Sequence, residues 1–168
     1  MNVKRIIIVS LIILALLSSV TVVSAGFLED LFGVQHKDNV VEIENIKFNT
    51  TNVTSFKLLN ESNISGAHAR GYVDENDTGY NVHIINCSGL DKATFSEFVR
   101  SYLTEFDNSP SQTIDGAVIY TVSADSGSHV GQPRYLAYVQ NKDLKTLVEI
   151  SSPDANETSK MIRSLTFK

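Results

Sequence analysis

The first 25 residues constrain this chain most, because they have the layout of an export signal. Lys4 and Arg5 precede an uncharged run over residues 6–23. The small-residue exit Val23-Ser24-Ala25 follows at its end. This order is typical of a secretory signal peptide, with cleavage expected after Ala25. About 143 residues then remain, enough for one domain with its own hydrophobic core. The sequence therefore predicts a single domain that folds outside the cytoplasm.

The apolar run has a second interpretation, as a membrane anchor that is not cleaved. Its length is close to the roughly 20 residues that cross a bilayer. Ser18, Ser19 and Thr21 make its second half less apolar than a typical spanning helix, so cleavage is favoured and the anchor is the alternative. Either way the domain is exported. We expect an extracellular or cell-surface protein whose contact with a membrane is limited to an uncleaved N-terminal segment.

Composition limits how the exported part is stabilised and what it binds. Cys87 is the single cysteine, so no disulfide forms within the chain and the core must supply the stability. Cys87 ends an apolar stretch, which predicts a small buried side chain rather than a reactive thiol. The net charge is -5 before the basic signal is removed. An acidic domain of this kind argues against nucleic acid as a partner.

The folded part is predicted to begin near residue 40. Residues 26–39 read as a short amphipathic segment and a polar linker, and residues 40–168 as a single domain. Two short alternating runs within residues 40–48 predict a strand pair. Residues 49–65 are rich in Asn, Ser and Thr, and we interpret them as a long surface connection.

Clearer patterns occupy the middle of the chain. Residues 67–87 predict a hairpin with a polar tip. The strongest helical pattern spans residues 92–106, with Asp91 as its N-cap. Aromatic residues recur along it at three- and four-residue steps, among them Phe98 and Tyr102. This stripe predicts a face packed on a sheet rather than a wall of a ligand site.

The last third of the chain predicts further strands and a closing helix. Three strand candidates span residues 112–124, 134–140 and 144–151, and Asp115-Gly116 and Asn141-Lys142-Asp143 mark turns. The second candidate is expected to be central because it is continuously apolar. Asp154 and Glu157 suggest a capping-box-like start to the helix. Ile162 and Leu165 are expected to face inward. This order predicts an α+β fold: a mostly antiparallel sheet with one long and one C-terminal helix packed on it.

The final strand and helix have a recognisable sequence order. The residues are Leu147-Val148-Glu149-Ile150, then Pro153-Asp154, then Met161-Ile162-Arg163-Ser164-Leu165. This order resembles the end of PsbP-like domains, and the preceding elements are similar over about residues 40–167. The chain as a whole also resembles small exported proteins of methanogenic archaea. The resemblance implies a PsbP-like fold and carries over no functional residue, because a role in photosynthetic water oxidation does not transfer with a fold.

Seven Asn-x-Ser/Thr sequons lie in the exported part, at Asn49, Asn52, Asn60, Asn63, Asn76, Asn86 and Asn156. Each is an acceptor for an N-linked glycan in a secretory setting. Asn52, Asn60, Asn63 and Asn76 are the best candidates because they fall in predicted loops, whereas Asn86 falls within a predicted strand. The alternative is that Asn and Thr cluster there because they form turns.

No cofactor or metal site is predicted. The histidines His36, His68, His83 and His129 lack metal-ligand spacing and are expected to be structural or solvent-facing. The hairpin tip, Asp74 to Gly79, resembles the start of a calcium loop. Ile85 stands where an EF-hand needs a carboxylate, so we expect a solvated turn.

One loop collects the residue types of a hydrolase: Asp125, Ser126, Ser128 and His129. No nucleophile elbow or Ser-x-x-Lys pair accompanies them, so catalysis is not expected there. The sequence favours a non-catalytic cell-surface or envelope domain that acts by interaction with an unidentified envelope partner. One alternative is a module that binds a small or polar ligand in a pocket between the sheet and the loop of residues 49–65 or 125–133. The last alternative is a hydrolase centred on Asp125 and His129.

Overall fold

The computed structural model describes residues 38–64, 66–124 and 129–168, with the backbone alone at Ile64. The predicted signal or anchor and the amphipathic segment that follows it lie outside the described residues. Residues 38–168 cluster as one compact unit. Within the described ranges the fold is α+β, with two α-helices and mostly antiparallel strands, as predicted. No helix in these ranges combines the length and hydrophobicity needed to cross a bilayer.

The strands are β1 (Asn39–Ile43), β2 (Ile46–Thr50), β3 (Phe56–Ile64), β4 (Ala67–Asp74), β5 (Asn81–Asn86), β6 (Ser111–Ile114), β7 (Ala117–Ser123), β8 (Pro133–Asn141), β9 (Thr146–Ser152) and β10 (Thr166–Phe167). The helices are α1 (Lys92–Leu103), which continues into a 3₁₀ turn (Thr104–Phe106), and α2 (Ala155–Ser164). In the described ranges the strands form a large sheet in the order β3-β4-β5-β9-β8-β7-β6 and a small sheet in the order β1-β2-β10.

Two tight hairpins follow from local backbone chemistry. Glu44 has a φ of 52° in the turn between β1 and β2, so the predicted strand pair is confirmed. Asp115 and Gly116 have φ values of 50° and 85° between β6 and β7. Two consecutive residues in the left-handed region suit the twist of a two-residue hairpin. The predicted turn at Asp115-Gly116 is confirmed, and it divides the strand candidate over residues 112–124 into two strands, β6 and β7.

Residues 56–64 form a strand, so the prediction of a surface connection over residues 49–65 is wrong there. β3 pairs with β4 along its length, with an irregularity at Leu59. It lies at the edge of the large sheet, and most of its described side chains are exposed. An edge strand exposed on both faces needs no alternation of apolar and polar residues, so its sequence reads like a loop.

The central strand of the large sheet is β9, not β8 as predicted. β9 has three strands on either side in the described order, and all seven of its residues are buried. β8 lies one position away, between β9 and β7. Glu149, Ser151 and Ser152 dilute the apolar character of β9, and for that reason the sequence pointed to the more apolar neighbour.

The large sheet separates two hydrophobic cores. On one face, the small sheet and α2 pack around a cluster that includes Phe48, Ile150 and Met161. On the other face, α1 packs around a cluster that includes Phe95 and Leu147. Successive residues of a strand point to opposite faces, so neighbours such as Leu147 and Val148 contribute to different cores.

Helix α1 begins as predicted, but the residues that it buries against the sheet differ from those predicted. The carboxylate of Asp91 accepts a hydrogen bond from the backbone N–H of Thr94 at 2.8 Å, which confirms the N-cap. Phe95 is buried, whereas Phe98 and Tyr102 are only partly buried. The rings of Phe98 and Tyr102 stack on each other at the flank, 6.2 Å apart. The predicted burial of Phe98 and Tyr102 is therefore too strong.

Helix α2 is anchored through polar groups as well as through its apolar face. Asp154 caps the helix by accepting from the N–H of Glu157 at 2.9 Å. The Glu157 carboxylate does not complete a capping box. It accepts instead from the Thr50 hydroxyl at 2.6 Å and from the Thr51 N–H at 2.5 Å, which ties α2 to the end of β2. Ile162 and Leu165 pack partly buried against the core, in the inward direction that was predicted.

Candidate functional site

The exposed edge of the large sheet carries two of the predicted glycan acceptors. β3 pairs with β4 on one side, and within the described ranges no strand pairs with its other side. Asn60 lies opposite Gly71 and Asn63 lies opposite His68. Gly71 and His68 are three residues apart, so Asn60 and Asn63 stand on opposite faces of the sheet. We call β3 with these two asparagines the sequon edge.

The apolar side chains of this edge are also exposed. Leu58 is 51% exposed and Leu59 is 64% exposed, at the point where the pairing with β4 is irregular. An edge strand presents a row of backbone N–H and C=O groups that can template pairing with another chain. The exposed backbone groups of the sequon edge therefore need to be shielded from other chains, unless the edge itself is a binding surface.

The predicted glycan acceptors differ in how their side-chain amides are engaged. Asn63 and Asn76 are exposed. Asn60 is exposed too, but its Oδ1 packs over Gly71, where an added Cβ would lie only 2.4 Å away. The Nδ2 of Asn52, the atom that would carry the sugar, donates a hydrogen bond to the hydroxyl of Tyr80 at 3.0 Å. The four sites are thus not equivalent, although all four asparagines are exposed.

Asn86 and Cys87 lie side by side in opposite environments. Asn86 is the last residue of β5 and is exposed, and its Oδ1 accepts from the N–H of Ser88 at 2.9 Å. Cys87 is fully buried, as predicted. Burial raises the pKa of the Cys87 thiol, and the charge of Lys145 opposes that shift only in part. The thiol is therefore held in its protonated, less nucleophilic form.

The hairpin tip that resembles a calcium loop is held together by Asp74. The tip residues 75–78 are exposed, as expected for a turn, but Asp74 itself is buried. Its carboxylate accepts from the backbone N–H groups of Thr78 at 3.0 Å, Gly79 at 3.1 Å and Tyr80 at 3.0 Å. Burial would raise the pKa of the Asp74 carboxyl, but these hydrogen bonds outweigh it and lower the pKa. The residue types of the tip are accounted for by this internal turn.

The described histidines contact different parts of the surface. The side chain of His68 lies 3.5 Å from Glu61, and the Nε2 of His129 lies 2.8 Å from the carbonyl oxygen of Asp77. No group of three or more His, Cys, Asp or Glu side chains in the described ranges is placed to hold a metal ion. His36 and the residues Asp125, Ser126 and Ser128 lie outside the described residues.

A polar row crosses the sheet face on which α1 packs. Asn60, Gly71, His83, Glu149 and Tyr138 are successive cross-strand partners on five neighbouring strands. Residues that pair directly share one face of a sheet. The row therefore connects the sequon edge to the centre of the sheet.

Glu149 is the anchor of this row and was not singled out from the sequence. Its side chain is only 9% exposed, and its carboxylate lies 3.2 Å from the Nδ1 of His83. Tyr102 of α1 donates its hydroxyl to the same carboxylate at 2.8 Å. Burial, together with the charge of Glu149, raises the pKa of Tyr102 well above its usual value, so the phenol remains a donor. The one signal in the sequence was an acidic residue inside an otherwise uncharged buried strand.

Comparison with known proteins assigns the chain to no family. The chain matches no protein-family model, no curated protein and no solved structure. The resemblance to PsbP-like domains and to exported proteins of methanogenic archaea therefore stays a prediction.

Proposed function

We propose that this protein is an exported, non-catalytic domain of the cell surface or envelope that acts by interaction and carries N-linked glycans on the sequon edge. The main support is the placement of Asn60 and Asn63 on opposite faces of an exposed edge strand. The predicted export signal in residues 1–25 would direct the chain to the secretory route, where such a modification takes place.

Glycans at this edge would have a physical purpose. The modification joins the anomeric carbon of a lipid-phosphate-linked sugar to the amide Nδ2, and the lipid phosphate and one amide proton leave. Sugars on both faces of β3 would keep another strand from approaching its exposed backbone groups. Natural edge strands are protected against such pairing by charges, bulges or covering segments. The protein would then meet its envelope partner through its other surfaces.

The engagement of each amide predicts an order of modification. Asn63 and Asn76 should be occupied most, because their side chains are exposed and no described group holds their amides. Asn60 should follow, because its amide packs over Gly71. Asn52 and Asn86 should be occupied least, because each amide takes part in a hydrogen bond.

Intact-mass measurement and glycopeptide mapping of the native protein test this order. Ser62→Ala and Ser65→Ala remove the sequons of Asn60 and Asn63 while keeping both asparagines, and Ser55→Ala is the matched control outside any sequon. Each sequon variant should lose the mass of one glycan, and the control should lose none. Unmodified peptides at Asn60, Asn63 and Asn76 in native material would contradict the glycan part of the proposal.

The shielding role has its own experiment. The double variant S62A/S65A should self-associate with rising concentration in sedimentation, because its bare edge exposes Leu58 and Leu59. Adding Leu59→Lys should restore the monomer, since a charge on an edge strand disfavours pairing. If the glycosylated protein and the double variant have the same oligomeric state, the glycans do not shield the edge.

Export is tested at the N-terminus of native material. Cleavage after Ala25 predicts a protein that begins at Gly26. A full-length chain in the membrane fraction would replace cleavage with the anchor. A cytoplasmic pool would contradict export in both forms.

A further inference from the structure

A groove lies between α1 and the turn that joins β8 to β9. Its volume is about 410 Å³, within the range of about 300–1,000 Å³ that small-molecule sites occupy. Apolar, uncharged polar and charged side chains line it, among them Val99, Leu103, Gln140, Arg100, Lys142 and Asp107. It is separate from the sequon edge, which belongs to the far end of the sheet order.

The charges of the groove are unbalanced. Arg100, in the last turn of α1, and Lys142, in the β8–β9 turn, are both exposed, and within the described ranges neither forms an ion pair with a carboxylate. Asp143, the acidic neighbour of Lys142, is bound by Lys92 at 2.8 Å. Asp107 is thus the one acidic group among the lining residues. The groove carries an excess of one positive charge on a chain whose net charge is -5.

The floor of the groove is apolar. Val99 is buried in the core beneath α1, and Leu103 packs partly buried against the same core. A ligand that covers Leu103 would remove apolar surface from water, which favours binding. The groove therefore joins an apolar floor to a cationic rim.

We propose that this groove binds a small organic monoanion with an apolar body. The acidic head lies between Arg100 and Lys142, where the guanidinium can donate two parallel hydrogen bonds to a carboxylate. The apolar body lies on Leu103 and Val99. Asp107 disfavours a head with two negative charges, because it cancels one of the two cations of the rim.

Three probes of equal chain length separate these contributions: octanoate, octan-1-ol and octyltrimethylammonium. Each is titrated into the full chain, and binding is followed by calorimetry and by the backbone amide shifts of residues 99–107 and 140–142. Octanoate should bind with shifts confined to these segments. Octan-1-ol should bind at least about tenfold more weakly, and the cation should not bind measurably, because the rim charge is what selects the head.

Substitutions at the rim complete the test. Arg100→Gln and Lys142→Gln should each weaken octanoate binding about tenfold without changing the denaturation midpoint, because both side chains are exposed. Lys57→Gln, an exposed cation on β3, is the matched control and should leave the affinity unchanged. Equal affinity for octanoate and octan-1-ol, an equal loss in K57Q, or amide shifts outside the groove would each overturn the proposal.

Discussion

The two faces of the large sheet are closed in different ways. The face under the small sheet and α2 has a core of eleven buried residues in the described part of the chain, whereas the core under α1 has six. α1 is nevertheless the longer of the two helices, and it alone carries aromatic side chains. The strong helical pattern of α1 in the sequence therefore does not indicate a large core beneath it.

The small sheet supplies Val41, Ile43, Ile46 and Phe48 of the larger core, and α2 supplies only Met161. Polar side chains hold α2 in place instead. The buried residues of α2 are Glu157, Thr158, Ser159 and Met161, three of them polar. The Ser159 hydroxyl donates to the carbonyl oxygen of Ile114 at 2.9 Å, and the Thr158 hydroxyl donates to that of Tyr135 at 2.9 Å. Buried polar groups are tolerated when each one is hydrogen-bonded. α2 is therefore locked to several strands by bonds that no hydrophobic pattern reveals.

The largest expected effect is a difference in unfolding free energy between two Phe→Ala variants, one on each face of the large sheet. Phe48→Ala removes a fully buried ring from the larger core and should lower the free energy of unfolding by about 3–5 kcal/mol. Phe98→Ala removes a partly buried ring beside α1 and should cost less, about 1–2 kcal/mol. Denaturant unfolding of both variants measures the difference. Equal losses would show that the two faces contribute equally.

A smaller effect should come from the polar anchor of α2. Glu157→Ala leaves the buried Thr50 hydroxyl without its acceptor, at a cost of about 1–3 kcal/mol, whereas the partly exposed N–H of Thr51 can bind water instead. Both donors meet the same oxygen, Oε1, so Glu157→Gln keeps an acceptor in place and should cost less. Chemical denaturation again provides the measurement. If E157A and E157Q are equally destabilised, the charge rather than the acceptor oxygen holds the helix.

The same contrast shows what the sequence could predict. The hairpin over residues 67–87, the start of α1 at Asp91 and the start of α2 at Asp154 depend on local patterns, and the structure confirms all three. β3 was missed because an edge strand lacks the alternation that marks a half-buried strand. β9 was underrated because its buried polar residues find partners far away in the chain.

The side-chain contacts of the polar row could not be predicted from the sequence either. Tyr102 and Glu149 are 47 residues apart in sequence, and their hydrogen bond exists only because α1 crosses the face of β9. The sequons could be found from the sequence because each is a local motif. Their different side-chain contacts could not, since these depend on Gly71 and Tyr80, which other strands and turns bring close.

The smallest expected difference between the two faces is in local opening, and the alkylation rate of Cys87 measures it for the smaller core. Cys87 lies buried in the core beneath α1, and burial raises the pKa of its thiol, so a smaller fraction is thiolate at any given pH. Alkylation in the native state therefore requires α1 to move away. Because that core is small, we expect this opening to cost less free energy than global unfolding, as local openings do elsewhere.

The measurement compares two opening free energies in the same protein. The rate of Cys87 alkylation, referred to a Cys peptide at the same pH, gives the opening of the α1 face, and amide exchange in β9 gives global unfolding. Phe98→Ala should accelerate alkylation more than it accelerates exchange in β9, because Phe98 packs against the α1 core while β9 is buried at the centre of the sheet. If alkylation and exchange report the same free energy, and Phe98→Ala shifts both equally, the two faces open as one cooperative unit. The difference between the faces would then be one of composition and not of stability.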